Sequence, residues 1–417
     1  MSIENKYKKA ASILSSFQLS KFCKVLLTTA FIAGACVPMV GHAKEVTIVN
    51  KSGRTLYFYP PDRETVTLST GDSTKYTITQ AGSQRAYIST SNTSRVGGSY
   101  TFFEWSGNFI NLTYVEGVSI PANLAEPDNP NIPEVGFCQY VVSDDSSNDS
   151  PSYQCASPNA PNAMPLTREM IWGELEERMD ACGYTNYKLM DGDELIGIRS
   201  PDKTGDTTDS DWNQSIARSI KDADFEYKDF AVNYGWHYFD LEIKDDHSGS
   251  MVISAAVKED SNSRYIIRGN IDDFNQVTLA GGSGLTEQRG DQDYDQLTDG
   301  QKGIADRFNA LVTSAFTRGV FFPRGEKGVD SAGDWWSGAT NGDKDDEHTG
   351  GYYFYQPITD DAQCSFDTYA QVLHQFAANN HIYAFPYDDI YGYDSSYGDG
   401  NAATITVLPF GDESVSN

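Results

Sequence analysis

Phe102-Phe103-Glu104-Trp105-Ser106-Gly107-Asn108-Phe109-Ile110-Asn111-Leu112-Thr113-Tyr114-Val115-Glu116-Gly117-Val118-Ser119-Ile120-Pro121 is the stretch on which the reading of this chain turns. Its aromatic and β-branched residues predict strands on either side of a Ser-Gly-Asn turn. Glu104 and Glu116 interrupt these otherwise apolar runs, and a carboxylate placed there is costly unless it faces a groove or a partner. With a three-residue loop Ser106-Gly107-Asn108, Glu104 opposes Ile110 and Glu116 shares the parity of Ile110. Both acids then emerge on one side. A two-residue Gly107-Asn108 turn puts them on opposite faces.

Distance is the second test. Residues 110 to 116 span about 20 Å along a flat strand. Two carboxyl groups that cleave a glycosidic bond stand roughly 6.5–9.5 Å apart when the reaction inverts and about 5–5.5 Å apart when it retains. A flat hairpin meets neither value, so a twist, bulge or longer loop has to shorten the gap. The plain alternative is that both acids are ordinary solvent-facing strand residues.

Outward from this block the N-terminal part reads as β. Val46–Asn50 and Thr55–Tyr59 flank a Lys-Ser-Gly turn, and further strands are expected at Lys75–Thr79, Arg85–Ser89, Tyr100–Trp105 and Phe109–Ile120. No helical period occurs before residue 165, which suits a barrel or sandwich. A Ser/Asp/Asn/Pro-rich segment, 143–165, marks a junction. Beyond it Thr167, the Thr298–Gln301 capping box and Asp367 each open a helix. Strands are expected at Tyr238–Ile243, Met251–Val257, Ser263–Ile271 and finally Ala403–Leu408. The fold class expected is α+β. Its parts are a β domain over 44–165, a mixed α/β domain over 166–380, and a C-terminal strand within 381–417 that returns to the first.

Composition narrows the function. Against 59 acidic residues stand 31 Lys and Arg, a formal charge of −28, so phosphate backbones and anionic lipid surfaces repel this chain. Nucleic-acid and membrane-surface partners are excluded on that ground. The first 43 residues have a Lys-rich start, an uncharged apolar run from Val25 to Val40, and Gly41-His42-Ala43, the pattern of an export signal cleaved after Ala43. Cys23 and Cys36 would leave with it. Cys138, Cys155, Cys182 and Cys364 remain, an even number in an exported chain, which implies disulfides in one of three connectivities. The loop between Cys138 and Cys155 favours that pair, and with it Cys182–Cys364. No zinc spacing, calcium loop, Gly-x-Ser-x-Gly elbow or phosphate-cradling glycine motif occurs, so no metal or cofactor is expected.

The motifs resemble a known family. Glu104-Trp105 with Asn111-Leu112-Thr113-Tyr114-Val115-Glu116-Gly117 and Pro121 resembles the acidic-cleft strands of thaumatin-like proteins. Tyr369–His374 with Ile382–Asp389 resembles glycoside hydrolase family 64, the laminaripentaose-producing β-1,3-glucanases. The resemblance implies a thaumatin-like barrel or sandwich joined to a mixed α/β domain across a wide groove. It further implies a monomer that hydrolyses β-1,3-glucan with inversion and needs no cofactor. Carried over by motif, the acid and base are Glu104 and Glu116, with a Glu where the family has Asp. Asn111, Tyr387, Asp388 and Asp389 fall at substrate-binding positions. Trp335-Trp336, in a Gly/Asp/Ser-rich segment, is offered separately as a stacking platform. Between the two acids, Glu104, flanked by Phe103 and Trp105, suits the proton donor and Glu116 the water-activating base. A thaumatin-like protein that binds β-1,3-glucan without cleaving it is the alternative.

Overall fold

The computed structural model describes residues 44–78, 84–106, 109–127, 134–143, 152–155, 164, 166–204, 226–234, 237–245, 250–270, 286–317, 367–378, 381–385 and 402–410. Ten strands come first: β1 (Lys44–Asn50), β2 (Leu56–Tyr59), β3 (Val66–Leu68), β4 (Ser73–Ile78), β5 (Gln84–Ser89), β6 (Tyr100–Ser106), β7 (Phe109–Thr113), β8 (Gly117–Val118), β9 (Ala122–Ala125) and β10 (Val135–Gly136). A small hairpin, β11 (Tyr140–Ser143) and β12 (Ser152–Cys155), follows. After helix α1 (Glu174–Ala181) come β13 (Lys188–Asp191) and β14 (Glu194–Arg199). Next is a meander of β15 (Glu226–Tyr234), β16 (His237–Asp245), β17 (Ser250–Val257), β18 (Asp260–Asn270), β19 (Thr286–Arg289) and β20 (Gln292–Asp293). Helices α2 (Asp299–Thr317) and α3 (Thr368–Gln375) precede the last strand, β21 (Ala403–Val407). The described residues are thus mostly β with a few helices.

Two five-stranded sheets, β10-β9-β21-β1-β4 and β3-β2-β5-β6-β7, form the N-terminal layers. β1 pairs parallel with β21 and antiparallel with β4. Alternation explains the inward faces: Val46 and Ile48 stand beside Ala403 and Ile405, and all four are buried. From the second sheet Leu56, Phe58, Ala86, Ile88, Phe103, Trp105, Ile110 and Leu112 join the same core. Tyr76 of β4 bridges the layers, its ring 5.8 Å from Phe58 and 5.6 Å from Trp105.

No closed barrel forms among the described residues, which corrects the barrel half of the expectation. The physical reason is the size of the inward side chains. Phe58, Tyr76, Phe103 and Trp105 fill a layer between stacked sheets, about 10 Å deep in such packings, and hold the sheets face to face. Edge strands β4 and β7 remain at the rims, where β7 makes an isolated parallel bridge, Thr113 to Tyr383.

The expected helix starts are present. Thr167 Oγ1 accepts from the Met170 amide at 3.2 Å ahead of a π-type turn, Glu169–Gly173, that runs into α1. Thr298 and Gln301 cap each other reciprocally before α2, and Asp367 Oδ1 accepts from the Ala370 amide before α3. Cys138 and Cys182 are both disulfide-bonded. Cys364 and the side chain of Cys155 lie outside the described residues.

Candidate active site

One face of the β5-β6-β7 ribbon packs into the core between the sheets. On the other, register aligns Arg85, Glu104 and Asn111 in one cross-strand row, with Tyr87, Phe102 and Thr113 in the next. The turn after β6 is the two-residue kind, since Ser106 pairs with Phe109 and Glu104 therefore with Asn111, not with Ile110. That corrects the three-residue loop. By strand parity alone this register should send Glu116 to the far side.

It does not, because the strand ends first. β7 stops at Thr113, and the Gly117 amide turns back onto the Tyr114 carbonyl at 3.1 Å. The expected single strand Phe109–Ile120 is accordingly two pieces in two sheets, with β8 pairing to β14. Gly117 permits the turn: its φ is +146°, and a Cβ there would stand 2.5 Å from the Ile198 carbonyl oxygen. Remote segments hold the loop. The Tyr114 amide donates to the Tyr383 carbonyl at 2.9 Å and the Tyr369 hydroxyl donates to the Tyr114 carbonyl at 2.6 Å. Ser200 adds its hydroxyl to the Val115 carbonyl and its amide to that of Glu116 at 3.4 Å.

The result is an ion triad. Arg85 Nε donates to Glu104 Oε1, and Arg85 Nη1 donates to Glu116 Oε1 at 2.6 Å. Two hydrogen bonds to neighbouring nitrogens of one rigid guanidinium limit the two oxygens to a separation of at most about 7 Å. The extended-strand distance is therefore replaced by a bound that takes in both the retaining spacing and the lower end of the inverting range. Side-chain exposures of 22%, 18% and 20% for Arg85, Glu104 and Glu116 make this a shielded cluster, not a surface pair. Burial opposes the charge on Arg85, but Glu104 and Glu116 outweigh it and hold the guanidinium above its ordinary range. The Arg85 guanidinium also lies 4.8 Å from the centre of the Phe102 ring. The other oxygen of Glu104 meets the Thr113 hydroxyl at 3.1 Å.

A cavity of about 350 Å³ opens beside Glu116, lined also by Tyr100, Phe102, Ser119, Leu189, Arg199 and Lys203. Burial, followed by the Glu116 charge, pushes the Tyr100 phenol up to about 12. Among the described residues no cluster of three or more His, Cys, Asp or Glu could hold a metal ion, and no helix is long and apolar enough to cross a membrane.

Of the residues picked out from the sequence, Glu104 and Glu116 come together, with Asn111 half-buried in the row beside Glu104. Trp105 is core, 2% exposed. Tyr387, Asp388, Asp389, Trp335 and Trp336 lie outside the described residues. Sequence reading missed Arg85, Thr113, Tyr100, Arg199 and Lys203. Arg85 carried one signal: a charged residue opening an apolar strand run next to the strand of Glu104.

No protein-family model and no curated protein sequence matches this chain. Among solved structures it is similar to the crystal structure of a beta-1,3-glucanase domain (GH64) from Clostridium beijerinckii, at a TM-score of 0.40 and 14% identity, covering 90% of this chain and 100% of that one. At that distance the likeness says nothing about individual residues.

Proposed function

We propose that this protein is a glycoside hydrolase acting on β-1,3-glucan, with Glu104 and Glu116 as its acid–base pair. The observation that carries this reading is the convergence of the two carboxylates on Arg85, with Glu116 also lining a cavity of ligand size. Hydrolysis with inversion needs one carboxyl to protonate the leaving oxygen and another to activate water from the opposite side. Glu104 is assigned the donor role, its carboxyl held in the strand row beside Asn111 with the second oxygen accepting from the Thr113 hydroxyl at 3.1 Å. Glu116 fits the base, because it borders the cavity through which water arrives. Arg85 must release one acid as a sugar ring enters, since its guanidinium fills the interval between them.

That last point favours a second reading, a β-1,3-glucan-binding protein in which Arg85 keeps both acids locked. Incubation with laminarin separates the two. Short products released with an inverted anomeric centre, and lost in Glu104→Gln and Glu116→Gln, establish the hydrolase. Retained laminarin with no product establishes the binding protein. In either reading the chain is a thaumatin-like protein exported after cleavage near Ala43. It acts as a monomer, with a β domain over 44–165, a mixed domain over 166–380 and disulfides Cys138–Cys155 and Cys182–Cys364. Tyr387, Asp388, Asp389, Trp335 and Trp336 supply further sugar contacts.

A further inference from the structure

Glu116 stands where a backbone ladder ends. β8 belongs to neither N-terminal sheet but to the three-stranded sheet β13-β14-β8. Its antiparallel register with β14 pairs Val118 with Ile198 and Gly117 with Arg199, so Ser200 is the residue that falls opposite Glu116. The two backbones run close. A Cβ at Gly117 would stand 2.5 Å from the Ile198 carbonyl oxygen, and one at Gly197 would stand 2.8 Å from that of Val118. Glycine at both positions is what lets the strands meet.

The Ser200 amide donates to the Glu116 carbonyl at 3.4 Å, and there the ladder stops. Pro201 opens a short helix, Pro201–Lys203, and the amides of Lys203 and Thr204 donate within that turn, to the Ser200 and Pro201 carbonyls at 3.0 and 3.3 Å. The Ser200 hydroxyl carries the hold one residue further and donates to the Val115 carbonyl. As the N-cap of the short helix, a serine hydroxyl would ordinarily accept from the helix's own amides. Here it makes no such bond. The Thr204 hydroxyl closes the turn instead, donating to the Pro201 carbonyl at 2.8 Å. Ser200 is 2% exposed, so its two bonds to the Glu116 loop are shielded from water.

We propose that Ser200 is a positioning residue of the acid pair: its hydroxyl and amide fix the backbone at Val115 and Glu116, and so keep the Glu116 carboxylate beside Arg85. This role rests on the reading of Glu104 and Glu116 as an acid–base pair and deepens it. Tyr369 and Tyr383 act one step earlier, at Tyr114, whereas Ser200 holds the backbone of Glu116 itself. Without the Ser200 hydroxyl the loop is free to turn Glu116 away from Arg85, while Glu104, carried by β6, stays.

Hydrogen exchange read by mass spectrometry, together with laminarin kinetics, tests this on the whole chain. Ser200→Ala should speed exchange across 114–118 about fivefold, the effect of one lost hydrogen bond, and leave 44–50 and 100–106 at wild-type rates. Its kcat on laminarin should fall at least about tenfold with KM within about twofold, because a misplaced base slows the chemical step without removing a sugar contact. Unchanged exchange at 114–118, or a rise that is equal at 100–106, overturns the proposal. So does a wild-type kcat in a variant whose 114–118 segment has loosened. Should the alanine variant not fold, Ser200→Thr replaces it. The hydroxyl is then kept, so 114–118 should stay protected and kcat should stay near that of the wild type. Loosening confined to 114–118 in that variant overturns the proposal. If the wild type neither binds nor cleaves laminarin, the glucan reading falls by itself, and the exchange comparison alone decides the role of Ser200.

Discussion

Glu104 and Glu116 are the same residue type, twelve positions apart in sequence, and they meet the same guanidinium, yet they arrive by different routes. Glu104 is delivered by local rules. β6 alternates, Phe103 and Trp105 take the core side, and Glu104 is left on the opposite face in register with Arg85 and Asn111. Glu116 is delivered by long-range contacts. Its loop is tied to Tyr383, Tyr369 and Ser200, residues that lie far along the chain. The difference teaches that one half of this site is a property of a hairpin and the other half a property of the whole fold.

Arg85 is shared by both halves, so its loss should have the largest effect. Arg85→Met leaves two shielded carboxylates without their cation and is expected to lower stability by about 3–5 kcal/mol, as seen when one partner of a buried pair is removed. Urea unfolding measures it. A loss well under 1 kcal/mol would mean that the triad is no more than a surface pair. Gly117→Ala comes next: the positive φ and the close Ile198 carbonyl predict a loss of about 2–3 kcal/mol, together with loss of any activity that depends on Glu116.

Smaller changes separate the two halves. Tyr369→Phe removes one of the two donors to the Tyr114 carbonyl, the Gly117 amide remaining, and should cost about 1 kcal/mol, loosening Glu116 while Glu104 stays in register. Thr113→Val, which removes the hydroxyl that donates to Glu104 and, at 3.5 Å, to the Asn111 carbonyl, should cost about 1 kcal/mol or less and leave the Glu116 loop in place. Tyr100 reports on the same division without a change in stability being required. Its phenol is raised above its ordinary 10.0 to about 12, first by burial and then by Glu116. Folding thus favours the neutral phenol. That contribution to stability is complete below pH 10 and is lost as the pH rises through about 12. Glu116→Gln should move the Tyr100 titration back toward 10, followed by absorbance of the phenolate, whereas Glu104→Gln should leave it in place. Equal shifts in both variants would erase the contrast between the two acids.

Much of the scaffold was legible from residues alone. Strand runs with alternating burial, Thr167, Thr298 with Gln301, and Asp367 all announce their elements, because capping and alternation depend on neighbours within a few positions. The reading failed where a strand stopped. Phe109–Ile120 has unbroken β character, but β7 is an edge strand at Thr113, and beyond it pairing with β14 is worth more than continuing along β6. Parity counting has no meaning past such a break. The barrel expectation failed for a similar reason: strand propensity does not say whether a sheet closes on itself or packs against another.

The sequence by itself determined that two acids stand among aromatic strands, that one of them faces away from the core, and that acids outnumber bases 59 to 31. Only the tertiary structure decided that both acids share Arg85 and that a cavity opens beside Glu116. Alternation and caps are short-range and written in adjacent residues. The meeting of Arg85, Glu116 and Arg199 depends on where remote strands lie when the core is packed, and no local pattern encodes that.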